Sequence, residues 1–236
     1  MLVSQIRSEP REATGSAMFG AARLMAHVRI WAMPRHATSQ PRANRQAREY
    51  LADHLASWGY AVVLQGPHHN IAALSPAGRR ARRDLPAVCA HYDSVPFSPG
   101  ADDNASACAV LLEVARRAAG EGRELMVLGF NREEDQLAGS RDFVRACRRG
   151  EAPRPALAHV LEMVGYTAEE QRAPAGLPRL LTRSLPKRGD FIAVLGNRRA
   201  GRALGKLRRI AAEGGAVPLL AARTLAPLER SFPDLG

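Results

Sequence analysis

The sequence predicts an α/β protein with three layers, α/β/α, around a central mixed, mostly parallel sheet. Short apolar runs such as "PAVCAH" and "ELMVLGF" have the length of buried strands. Segments with apolar residues three and four apart lie between them. The two kinds alternate over most of the chain, as they must when helices cover both faces of one sheet.

Residues 1–44 are poorly patterned, with Pro10, Pro34 and Pro41 as breakers, although "AARLMAHVRIWAM" fits one amphipathic helix. From residue 45 to 236 the patterning is that of one domain. In "QAREYLADHLASWGY", Ala47, Tyr50, Leu51, His54, Leu55 and Trp58 share a face, and Gly59 stops the helix. "YAVVLQ" and "HNIAALS" read as a β-pair, and "ARRDLPAVCAH" as a charged loop entering a strand that ends at His91. "NASACAVLLEVARRAAGEG" is a helix with Cys108, Leu111, Leu112, Ala115 and Ala118 on one face. "ELMVLGF" is the next strand, "LAGSRDFVRACRRG" a helix, and "ALAHVLEMVGY" a strand ending near Glu162. Residues 167–188 read as Pro- and Arg-rich loop. "DFIAVLG" is a further strand, "RAGRALGKLRRIAAEGG" a helix and "AVPLLAA" a last short strand.

The composition narrows the function classes. A hydrophobic fraction of 46% over 236 residues is ample for a packed core. No apolar run reaches the roughly 18 residues of a membrane helix. Arg7, Glu9 and Arg11 stand where a secretory signal has its apolar core. The expectation is a cytoplasmic chain without a membrane partner. Cys89, Cys108 and Cys147 lack C-x-x-C spacing and lie in apolar segments, so buried thiols are expected. The net charge of +11 invites a nucleic-acid reading, but the Arg residues are scattered and few aromatics stand among them as stacking platforms. Solvated surface explains them better than a specific nucleic-acid partner.

Each buried strand of the middle region delivers an acid or imidazole at its carboxyl end, where ligands of open α/β sheets collect. These are His91 with Asp93, then Asp102 and Asp103, then Glu133 and Glu134, then Glu162. Any one of these has a dull explanation: an acid at a helix start favours the dipole, and "EED" is an ordinary solvated turn. Together they point to a metal site, and mixed imidazole and carboxylate ligands suit zinc.

The stretches "HYDSVPFSPGADDNAS", "NREEDQLAGSRDFV", "LEMVGY" and "GDFIAVLGN", in this order, resemble the zinc-dependent exopeptidases of the bacterial leucyl aminopeptidase type. That family also contains glutaminyl cyclases and glutamate carboxypeptidases, and the resemblance runs from about residue 45 to 225. It implies the zinc-exopeptidase fold and a metallopeptidase that hydrolyses N-terminal peptide bonds, with zinc as cofactor and a peptide as substrate. By motif, His91, Asp103, Glu134 and Glu162 are the implied metal ligands, Asp103 bridging two ions and Asp102 not a ligand. Glu133 is the implied general base, and Asp93 orients His91.

The chain departs from the family pattern in one main respect. The resemblance implies a further ligand histidine after the last strand, whereas all seven histidines precede Glu162 and the chain runs into "LAPLERSFPDLG". Smaller departures are Ala107 and Gln136, where the family has Gly. The expectation is therefore one tightly held zinc, reduced activity, and a sheet edge open to self-association as in a C-terminally incomplete member. A non-catalytic relic that keeps the fold as a binding module is the alternative, and a basic nucleic-acid-binding protein is a third reading.

Overall fold

The structure, a computed structural model, describes residues 4–6, 20–81, 84–170, 186–214 and 217–223. Among these the chain forms two compact units, one of residues 17–165 and one of residues 1–16 with 166–236.

The first unit is built on a five-stranded sheet. Its strands are β2 (Ala61–Gln65), β3 (Asn70–Leu74), β4 (Pro86–His91), β5 (Met126–Phe130) and β6 (Leu157–Val160). Their order in space is β2-β3-β5-β4-β6. The β2/β3 and β3/β5 pairs are antiparallel, and the β5/β4 and β4/β6 pairs are parallel, so the sheet is mixed. Pro86 opens β4, a position where a missing N–H is tolerated.

Alternation along β4 and β5 sorts side chains onto the two faces. Val88, Ala90 and Val127 face α1 (Ala21–Trp31), α2 (Pro41–Ser57) and α3 (Ala107–Gly120), where they meet Trp31, Leu51, Leu55, Leu111 and Leu112. Ala87, Cys89, Met126 and Leu128 face α4 (Ala138–Arg149) through Phe143 and Ala146. The expected three layers are therefore present. Gly129 is demanded by the packing: a Cβ there would stand 2.7 Å from Leu51 Cδ2.

Residues 21–44 matter more than their pattern suggests. Trp31, Arg35, His36 and Asn44 are buried. Arg35 is fully buried and donates to the carbonyl oxygens of Trp31, Tyr92, Pro99 and Gly100 at 2.8–3.0 Å. It thereby fastens the loop that follows β4. Apolar periodicity cannot report such a residue, because the buried group is a cation satisfied by carbonyls. Glu113, on α3, is another: fully buried, it pairs with Arg116 at 3.0 Å and Arg23 at 3.3 Å.

The second unit contains β1 (Ser4–Ile6), β7 (Ile192–Gly196), α5 (Gly201–Gly214) and β8 (Leu219–Arg223). Its three-stranded sheet has the order β1-β8-β7, with β7 and β8 parallel and β1 antiparallel to β8. The strands expected in "DFIAVLG" and "AVPLLAA" exist, and they pair with each other and with β1 in a sheet separate from the five-stranded one. Most of the expected loop at 167–188, and "LAPLERSFPDLG", lie outside the described residues.

Cys89 and Cys108 are buried, and burial pushes both thiols up to about 12. Cys147 is only half-buried, a correction to the expectation for all three. Among the described residues no helix is long and apolar enough to cross a membrane.

The core assignment is checked by truncation. Leu111→Ala, at a fully buried position, should cost about 2–5 kcal/mol in urea unfolding. Val63→Ala, at a position 61% exposed on β2, should stay within about 0.5 kcal/mol of the parent.

Candidate metal centre

His91 is the last residue of β4 and is buried, as the end of an apolar strand requires. Its Nε2 lies 3.1 Å from Asp103 Oδ1, 3.5 Å from Glu162 Oε1 and 3.9 Å from Glu133 Oε2. Its Nδ1 lies 3.3 Å from Asp93 Oδ1, close but out of line for a hydrogen bond. The six residues singled out from sequence are thus brought around one point at the carboxyl edge of the sheet. One ligand atom from each of His91, Asp103 and Glu162 lies within 4.8 Å of the others, and the same holds for His91, Glu133 and Glu134.

The supports are local. Asp93 is fully buried and accepts from the backbone N–H groups of Glu133 and Glu134, both at 3.2 Å. It therefore fixes the turn after β5 as well as facing the His91 ring. Asp103 sits in the π-helical turn Ala101–Ser106 that enters α3, where it and Asn104 leave helical geometry (Asp103 φ −99, ψ 94). That departure turns the two neighbouring aspartates different ways. Asp102 Oδ1 accepts from Gly165 N–H at 2.8 Å, so it ties down the segment carrying Glu162. This is a more specific job than the helix-dipole role its position suggested.

Asn104 and Ser106 escaped the sequence reading. Asn104 Nδ2 donates to Glu162 Oε2 and to Leu161 O, both at 3.0 Å, and its Oδ1 accepts from Met163 N–H at 3.1 Å. Ser106 Oγ accepts from Val164 N–H at 3.0 Å. A signal was available in "ADDNAS": four polar side chains among small residues at a helix entry, more than a cap needs.

Five carboxylates around one imidazole shift one another. For His91, burial pulls the ring down, but contacts with Asp103, Asp93 and Glu162 outweigh it and hold the ring well above its ordinary value. Asp103 is held below the usual carboxylate range by His91. Burial, helped by neighbouring acids, pushes Glu133 up, and Glu134 up to about 7. Asp103 Oδ1 and Glu134 Oε1 are buried without a hydrogen-bond partner. Native structures rarely leave such atoms unsatisfied, and a cation would satisfy both.

The Glu134 shift has a stability consequence. A carboxyl raised from 4.5 to about 7 on folding stabilises the fold below its ordinary value, and that contribution is lost as pH rises from 4.5 to about 7. With a chelator present, Glu134→Gln should therefore have a higher urea midpoint than the parent above about pH 7. The difference should close as pH falls toward 4.5.

Residues 70–185 match the model of the family described as Peptidase family M28. Aminopeptidase YwaD of Bacillus subtilis is 42% identical over 89 residues, 37% of this chain and 20% of that protein. Uncharacterized protein YfbL of Escherichia coli is 31% identical over 212 residues, 82% of this chain and 63% of that protein. The chain thus spans less than two thirds of either relative. The crystal structure of a leucine aminopeptidase precursor from Bacteroides thetaiotaomicron superposes with a TM-score of 0.63 at 16% identity. It covers 90% of this chain and 79% of its own, a likeness of fold. Over residues 70–185, the segment that carries its acids, the chain resembles peptidase family M28, and over most of its length it shares the fold of the leucine aminopeptidase precursor.

Proposed function

We propose that this chain is a zinc-dependent hydrolase of aminopeptidase type, acting on the N-terminal bond of peptides. The observation that carries the proposal is Asp103 Oδ1: buried, without a hydrogen-bond partner, and 3.1 Å from a His91 Nε2 that is not aligned to donate to it. A nitrogen and an oxygen so placed behave as two ligands directed at a common ion, with Glu162 as the third. Three N/O ligands with room for water are what a catalytic zinc requires. The names of the Bacillus subtilis relative and the Bacteroides thetaiotaomicron neighbour support the aminopeptidase class.

Zinc bound there supplies Lewis-acid polarisation and a lowered water pKa. The chain's own residues do the rest. Asp93 faces Nδ1 of His91 and so keeps Nε2 turned to the ion. Glu133 takes the proton of the attacking water and passes it to the leaving amine. The upward push that burial gives its carboxyl brings it closer to the pH at which both transfers must run. Glu134 and a share of Asp103 face a second position.

Both ligand groups draw on the same imidazole, His91. One ring nitrogen cannot serve two ions, so among the described residues the Glu134 position has carboxylates alone and binds zinc weakly.

Metal analysis of the purified chain should give about one tightly held zinc, and aminoacyl p-nitroanilides should be hydrolysed slowly. Two zinc ions per chain with fast turnover would rule out the single-site account, and no zinc together with no hydrolysis would favour the non-catalytic reading. Glu133→Gln should abolish hydrolysis while leaving zinc content unchanged. Loss of zinc instead would make Glu133 a ligand. Asn104→Ala, which frees Glu162, should weaken zinc binding by about 10–100-fold in a chelator competition.

A further inference from the structure

A cavity of about 470 Å³ opens at the same edge of the first unit, lined by Arg45, Arg48, Glu49, His68, His69 and Arg132 among others. Three arginines and two histidines line it with one glutamate, and Arg132 is already paired with Asp135. The cavity is built rather than accidental. Its floor is the buried pair Asn44 and Asn131, whose amides bond each other at 2.9 and 3.2 Å, with Asn131 Nδ2 also holding His68 O at 3.0 Å. Arg132 is tethered by Asp135 at 2.8 Å and Thr38 at 3.5 Å, which occupies two of the five donors of a guanidinium. His69 and Arg132 both adopt left-handed backbone (φ 59 and 58), a strained choice for such residues that gathers at binding sites.

The cavity is also connected to the metal centre. Tyr92, between His91 and Asp93, donates its hydroxyl to His69 O at 2.8 Å, and the Arg48 guanidinium lies beside that hydroxyl. Arg132 immediately precedes Glu133. The register puts His91 opposite Phe130 and Gly129 opposite Ile71, so the turn 66–69 enters β3 two strand positions from His91 along one sheet edge. Two strand spacings are roughly 10 Å. An extended peptide covers that distance with about three residues.

We infer that this cationic cavity holds the C-terminal carboxylate of a short peptide whose N-terminal bond lies at the metal centre. The inference rests on the aminopeptidase reading and sharpens it: the preferred substrates are free-acid peptides of about three residues. The guanidinium fork suits a carboxylate, and a C-terminal amide offers neither the charge nor the second oxygen.

The test is calorimetric binding of Leu-Gly-Gly and of Leu-Gly-Gly amide to Glu133→Gln, which holds peptide without needing turnover, with hydrolysis of both peptides by the parent followed separately. The free acid should bind about five- to tenfold more tightly than the amide. Adding Arg45→Ala and Arg48→Ala should shrink that ratio below about threefold, largely through the free acid. Equal binding of the two peptides overturns the inference even if both are hydrolysed. A retained preference without hydrolysis would sustain it while removing the catalytic reading. Inorganic phosphate that binds in the cavity with no preference for the free acid would reassign it to a free anion and overturn the inference.

Discussion

The buried carboxylate of Asp93 is the constraint on which the centre depends. It is fully enclosed, and a buried charge persists only where partners repay its desolvation. Its partners are the His91 ring at the end of β4 and the two amides of Glu133 and Glu134 after β5. One side chain therefore ties the ends of two adjacent parallel strands. Sheet register brings His91 opposite Phe130, and Asp93 converts that register into a fixed relation between an imidazole and two carboxylates.

The same economy explains how so many acids are held together. Repulsion among five carboxylates would splay them if each hung on a flexible loop. Instead Asp102 and Asn104 spend their polar atoms on the backbone of residues 161–165, which fixes the segment bearing Glu162. Arg35, buried behind the loop, binds the carbonyls that bring the chain from Tyr92 to Gly100. It also places a permanent positive charge beside Asp93, Asp103 and Glu134. The centre is thus surrounded by hydrogen bonds that do not depend on a ligand, while Asp103 Oδ1 and Glu134 Oε1 are left without one. Preorganisation of this sort means that an incoming cation has little left to order.

Apolar runs and periodicity made the five central strands and the helices at 41–57, 107–120 and 138–149 readable, although β6 is largely exposed. The acids were readable because they fall at strand ends in a fixed order. The remainder was hidden for a physical reason. Arg35, Asn44, Asn104 and Glu113 are buried polar residues, and a buried polar residue is defined by partners distant in sequence: Asn44 by Asn131, Asn104 by Glu162, Glu113 by Arg23. Strand pairing was hidden likewise. Nothing in "DFIAVLG" distinguishes a fourth member of the main sheet from the strand it is, paired with residues 219–223 in a sheet of its own.

The adjacent acids Asp102 and Asp103 show how a local sequence oddity resolves in three dimensions. Consecutive side chains of a regular helix point about 100° apart, yet two carboxylates so near in sequence still raise each other's cost of ionisation. The π-helical turn prevents this, since Asp103 and Asn104 leave helical backbone angles. Asp102 then meets an N–H donor, Gly165, and becomes structural, while Asp103 meets His91. Two like charges one residue apart are tolerated because the backbone divides their tasks. One anchors the strand-end loop that carries Glu162, and the other joins Glu162 in facing the imidazole.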